Sequence, residues 1–170
     1  PLVGQFAWCG DLAYASCDAS DPVGGYGNSW FDILEFRKTV GAAATVRVQA
    51  DLVYDVEPGY DYVYLQRRTS AHPQFEPVAG GQGLVWDGIG TVALDYTFTY
   101  AAGELYEGTD IAVAFVFKSD GAWSDADCLW PTSGAARLDN LAVTLNGTTY
   151  AEDFEDGQLG PDWAAVPRLG

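Results

Sequence analysis

With 170 residues, 48% of them hydrophobic and 14% aromatic, the chain is long enough for one domain with a real core and too apolar for disorder. Twenty-four acids against eight bases leave a net charge of −16, which excludes nucleic acid and anionic membrane as partners because their phosphates would be repelled. No apolar run reaches the roughly 18 residues of a membrane span, and no segment reads as a signal peptide.

Residues 1–28 are Gly- and Pro-rich and read as an irregular covering segment, with one short strand near Phe6–Trp8. Ser29–Val40 forms a strand with Trp30, Leu34 and Phe36 among its apolar positions. In Ala44–Val56, Val46, Val48, Ala50, Leu52 and Tyr54 point one way and Thr45, Arg47, Gln49 and Asp51 the other, the period of a half-buried strand. Glu57-Pro58-Gly59 is a turn. Tyr60–Thr69 then sets Tyr60, Tyr62 and Tyr64 on one face and Val63 and Leu65 on the other. Residues 70–90 are a Gly/Pro-rich excursion around Phe75, Val78 and Trp86. Thr91–Tyr100 alternates again, with Val92, Leu94, Tyr96, Phe98 and Tyr100 inward.

The stretch Thr109–Gly147 organises the rest. Ile111, Val113, Phe115 and Phe117 alternate with Ala112, Ala114 and Val116, so both faces are apolar and the strand is central, covered on two sides. An acidic loop follows, holding Asp120, Asp125 and Asp127 with Trp123 and Trp130. Leu141, Val143 and Leu145 face inward on the next strand, and Asn146-Gly147 supplies the positive-φ pair of a tight hairpin. Thr148–Glu155 is a short strand, and the closing residues read as turn-rich coil. No helical period persists. The expected fold is all-β, a two-sheet antiparallel jelly-roll sandwich, with a core at 29–147 and an extended strand and tail at 148–170. The expected core is Val46, Val48, Leu52, Leu94, Tyr96, Phe98, Val113, Phe115, Leu141 and Val143.

Catalysis has little footing. The sole histidine, His72, precedes Pro73 in a turn, and no nucleophile elbow, phosphate loop or zinc motif occurs. The chain therefore reads as a non-enzyme. Calcium is the expected cofactor, since it takes six to eight oxygens on a bent backbone and Asp120, Asp125, Asp127 and Asp139 could supply them. The plainer reading is a solvated loop whose acids cap turns. Glu152, Asp153, Glu155 and Asp156 form a weaker cluster of the same kind. Tyr60, Tyr62, Tyr64, Trp86, Trp123 and Trp130 are candidates for a sugar-stacking platform, against the alternative that the tyrosines line the core. Asn146-Gly147-Thr148 matches the N-glycosylation acceptor pattern, which the hairpin turn also explains. Cys9 and Cys17 enclose a short loop and are the expected disulfide, with a bridge from one of them to Cys128 as the rival; an oxidising, extracellular or cell-surface setting follows. The lack of methionine and the start at Pro1 read as a processed product.

The order DYVYLQRR (61–68), a Gly-rich excursion, DIAVAFVFKSD (110–120) and ARLDNLAVTLNG (136–147) resembles the MAM-like jelly-roll modules of secreted bacterial proteins, such as the accessory domains of immune-inhibitor-A-like peptidases and cell-surface proteins. The resemblance spans about residues 29–157. It implies a two-sheet jelly roll, an extracellular site, a structural calcium with Asp120 in the acidic loop and Asp139 in the "DN" pair, and adhesion or carbohydrate binding. One departure stands out: EDFEDGQLGPDW, which opens such modules, here lies at 152–163. A domain short of its opening strand would expose an unpaired edge. The expected function is accordingly an extracellular structural subunit whose tail complements the next copy, giving a head-to-tail filament or surface array with copies of itself as partners. The alternative is a carbohydrate-binding or adhesion module whose partner is a polysaccharide.

Overall fold

A computed structural model describes residues 2, 4–14, 24–78 and 84–166. Eleven strands run through them in chain order: β1 (Ala7–Cys9), β2 (Phe31–Thr39), β3 (Ala44–Asp55), β4 (Tyr62–Arg68), β5 (Glu76–Pro77), β6 (Leu84–Trp86), β7 (Ile89–Tyr100), β8 (Asp110–Lys118), β9 (Ala136–Leu145), β10 (Thr148–Glu152) and β11 (Trp163–Val166). Two short 3₁₀ turns, Leu12–Tyr14 and Ala102–Glu104, are the helical content of these residues. None of it is long and apolar enough to cross a membrane.

The strands make two antiparallel sheets packed face to face. In the first, β9 lies between β3 on one side and β1 and β10 on the other, and β7 closes the far edge beyond β3. In the second the order is β11-β2-β8-β4, with β5 and β6 both bonded to β4. The expected two-sheet sandwich is therefore present. Alternation decides which side chains meet between the sheets: Val46, Val48, Ala50 and Leu52 of β3 are buried, as are Phe36, Val63, Leu65, Phe115, Leu141 and Val143 in the same core. Of the ten expected core residues, nine are buried and Tyr96, near the β7 edge, is half-buried against the same cluster.

β8 is the central strand that its double apolar pattern predicted. Eight of its nine residues are buried. Ile111, Val113, Phe115 and Phe117 enter the main core, while Ala114 and Val116 join Ile33 in a smaller outer cluster capped by Phe31, Tyr64, Phe75 and Val166. The Asn146-Gly147 turn forms as expected, with φ of 47° and 90° and Leu145 opposite Thr148.

Both ends differ from their reading as cover and coil. Tyr26, in the segment read as cover, is fully buried and packs edge-on against Phe117 with ring centroids 5.1 Å apart. The closing stretch forms β11, which pairs with β2 of its own chain, Trp163 opposite Phe36 and Val166 opposite Ile33. Trp163 is buried against Phe36 at 5.1 Å, and Lys38 grips Asp162 at 2.8 Å. Four residues are too few to show a period, so this strand is dictated by its partner rather than by its own sequence. β10 likewise occupies its own sheet beside β9.

Candidate functional site

The acids expected to hold calcium are not brought together. Asp125 is buried and its carboxylate is fully engaged: Oδ1 accepts from the Thr132 N–H at 2.8 Å, and Oδ2 accepts from Thr132 Oγ1 at 2.7 Å and the Tyr26 N–H at 2.9 Å. Asp127 staples its own loop, accepting from the N–H groups of Trp123, Ser124 and Leu129 and from the Asn28 side chain. Burial would raise its carboxyl, but these donors hold it below the ordinary range. Asp139 belongs to β9, where it pairs with Asp51 beside a shift of register and accepts from the Asn140 N–H at 2.7 Å. Glu152, Asp153, Glu155 and Asp156 also bond backbone N–H groups, as turn-capping acids do.

Asp120 instead joins two acids outside the expected set. Among the described residues, Glu57, Asp61 and Asp120 are the group whose carboxylate oxygens lie within 4.8 Å of one another. Asp61 is fully buried, taking the Tyr26 hydroxyl on Oδ2 at 2.7 Å and the Asp120 N–H on Oδ1 at 2.8 Å. Burial pushes its carboxyl up, against the pull of those two bonds. Burial raises Glu57 too, followed by repulsion from Asp61, Asp120 and Asp127. Three hard oxygen donors on two loops suit calcium or magnesium better than a thiophilic metal. The signal for Asp61 lies in the alternation: it shares the inward parity of Val63 and Leu65, so the pattern alone marks it as a buried acid.

The aromatic candidates divide three ways. Trp86 and Trp130 pack against the main core, Trp130 donating its Nε1–H to Asp55 Oδ1 at 3.2 Å. Tyr60 and Trp123 stand exposed at the loop end. Tyr62 and Tyr64 lie on the outer face of the second sheet, not in the core, with Val63 and Leu65 inward between them. Their rings are 5.7 Å apart at 39°, and the Tyr62 hydroxyl is fixed on the Gly59 carbonyl at 2.6 Å.

Register builds the rest of this outer face. Lys118 lies between Phe31 and Tyr62, Val116 between Ile33 and Tyr64, Ala114 between Glu35 and Gln66, and Ala112 between Arg37 and Arg68. The small alanines of β8 leave room above them for polar groups from both neighbours. Glu35 and Arg68 meet there at 3.1 Å, side chains 12% and 21% exposed, yet Glu35 Oε1 and Arg68 Nε share no well-directed hydrogen bond. Burial raises the Glu35 carboxyl, and Arg68 and Arg37 pull it back. The Arg68 guanidinium also covers the Phe75 ring at 4.3 Å. The pair thus lies beside Phe75 and Tyr106, with Arg68 Nη1 directed to the Tyr106 hydroxyl at 3.5 Å.

Asn146 is exposed in its hairpin, with Oδ1 accepting from the Thr45 N–H at 3.0 Å. The Cys9–Cys17 pairing involves Cys17, which lies outside the described residues. Cys9 Sγ lies 3.3 Å from Asp32 Oδ2. His72 sits in the turn expected of it, its N–H on Thr69 Oγ1.

No protein-family model matches the chain, and no curated protein sequence matches it.

Proposed function

We propose that the protein is a non-catalytic, extracellular carbohydrate-binding or adhesion module whose binding face is the outer surface of the β11-β2-β8-β4 sheet. What carries the reading is the placement of the Tyr62–Tyr64 ring pair outside the core, next to Gln66 and the Glu35–Arg68 pair. Pyranose rings lay their apolar faces on flat aromatic rings while hydroxyls bond neighbouring carboxylates, amides and guanidinium groups. The face offers both, on strands rather than loops, and Tyr62 is already held by its hydroxyl. The test is affinity electrophoresis against a panel of neutral and acidic polysaccharides. Retention by at least one, weakened roughly fivefold or more per ring in Tyr62→Ala and Tyr64→Ala, agrees with about 1 kcal/mol per aromatic contact. Migration unaffected by every polysaccharide, or by loss of both rings, would sink the reading.

Self-assembly by strand exchange is the second proposal. In its favour, β11 is a short edge strand that among the described residues is bonded to β2 alone, so the same register can be offered by a neighbour's tail.

A further inference from the structure

Strand β7 sets twelve residues at the edge of the first sheet, and among the described residues it pairs with β3 alone. Its register against β3 runs without a bulge from Asp55–Ile89 to Ala44–Tyr100. Thr45, opposite Thr99, turns both backbone groups towards the β9 side, its N–H to Asn146 Oδ1 and its carbonyl to the Asn146 N–H. Antiparallel pairs alternate, so the even residues of β7 exchange bonds with β3 and the odd ones point away from it. The N–H and C=O groups of Thr91, Ala93, Asp95 and Thr97 therefore line the open edge. Thr99 belongs to the same row, but its carbonyl accepts from Arg67 Nη1 at 3.0 Å. Edge strands are ordinarily blunted by shortness, proline, lysine or a bulge. β7 has none of these.

We propose that this edge is an interface between two copies of the chain, whose β7 strands pair antiparallel about a twofold axis. Length favours a second copy: its β7 offers the same twelve residues already extended, whereas a free peptide would give up its backbone freedom to straighten. Charge favours it too. The one charge on β7, Asp95, is paired with Arg47, so the edge is locally neutral in a chain of net charge −16, and a basic partner would be drawn to acids elsewhere. The same residues set the register. An axis at Asp95 would place like charges opposite each other, and an axis shifted towards Tyr100 would need the Thr99 carbonyl that Arg67 holds. Centring on Leu94 avoids both. Ala93 then lies opposite the partner's Asp95 and Thr91 opposite the partner's Thr97. On the inward face Val92 meets the partner's Tyr96, two positions that are only half-buried within one copy.

Sedimentation velocity on the full chain should show a monomer–dimer equilibrium. The dimer should grow with concentration and with added salt, which screens the repulsion between two acidic copies. Thr97→Pro removes an open-edge N–H and no bond to β3, so it should weaken the dimer at least tenfold with an unchanged circular dichroism spectrum. Ala93 is exposed and tests the register by sign. Ala93→Asp faces the partner's Asp95 at both symmetric positions and should weaken the dimer several-fold, while Ala93→Lys should tighten it. Should Thr97→Pro fail to fold, the two Ala93 variants decide. A chain that stays monomeric at every concentration and salt, a dimer that folded Thr97→Pro leaves intact, or equal effects of aspartate and lysine at residue 93 would each overturn the proposal. So would larger species dispersed only by Trp163→Ala, which would belong to tail exchange instead.

Discussion

The Tyr26 hydroxyl donates to Asp61 Oδ2 at 2.7 Å, and neither side chain has any contact with solvent. The same hydroxyl accepts from the Glu57 N–H at 3.1 Å, so one phenol ties the otherwise irregular N-terminal segment to the β3–β4 turn. Burial, then the bond to Asp61, raises the phenol far above the ordinary tyrosine range, so it stays protonated and a donor. Tyr26→Phe keeps the ring against Phe117 but strips Asp61 and Glu57 of a partner. Leaving a buried carboxylate short of one bond costs about 1–3 kcal/mol. Urea denaturation should report that loss, and a change under about 0.5 kcal/mol would mean that water takes the hydroxyl's place.

Acidity should act on stability in two separate windows. Asp61, Glu57, Glu35 and Asp55 all have carboxyls raised in the fold, with burial as the leading cause. A raised group binds its proton more readily folded than unfolded. Its contribution is complete below the unfolded value of about 4 and is lost as pH rises through the folded value. Asp110 and Asp127 are the reverse. Burial pushes Asp110 up, but Arg37, Thr109 and Thr39 hold it below the ordinary range, so its contribution is lost as pH falls through that lowered value. Thermal midpoints should therefore rise on acidification towards about 4 and fall only below it. Asp61→Asn should flatten the upper limb. A midpoint that falls steadily from pH 7 downward contradicts this ordering.

Calcium, if this module holds it, should answer to Glu57 and Asp120 and ignore Asp139. Glu57→Gln and Asp120→Asn lie in the crowded carboxylate group, whereas Asp139→Asn changes a β9 residue paired with Asp51. Saturating calcium at about 100 times Kd would stabilise the wild type by about 2.7 kcal/mol. The first two variants should lose that gain and the third should keep it. Equal midpoints in calcium and in chelator would leave these acids as turn residues alone.

Legibility followed period and distance. β3 alternates from Ala44 to Leu52 and β7 from Thr91 to Tyr100, and their inward faces were readable from that period. β8 was readable as central because its small residues, Ala112 and Ala114, sit where a solvent-facing strand would place polar ones. Trp163-Ala164-Ala165-Val166 was not, because nothing in those four residues signals that Phe36 lies opposite. The acidic loop misled for the same reason. Its sequence shows three aspartates but not that a Tyr26 N–H, 99 residues away, converges on Asp125 and leaves it a structural acid. Asp61 could have been found, since it shares the inward parity of Val63 and Leu65.

The tail provides the last test, since it separates a monomeric module from a self-assembling one. Within the chain, Trp163 is buried against Phe36 and Lys38 holds Asp162. Trp163→Ala should cost about 3–5 kcal/mol, the usual loss for a large aromatic removed from a core. With β7 pairing blocked by Thr97→Pro, a tail that stays on its own subunit makes that cost and the unfolding midpoint independent of protein concentration, and the protein elutes at 18.2 kDa. If the tail is exchanged, the bonds between β11 and β2 become intermolecular, and mass action makes the midpoint climb with concentration. Denaturation at two protein concentrations a hundredfold apart distinguishes the cases. Coincident curves with monomeric elution retire strand exchange, while a midpoint rising with concentration, accompanied by larger species that Trp163→Ala disperses, retires the monomer.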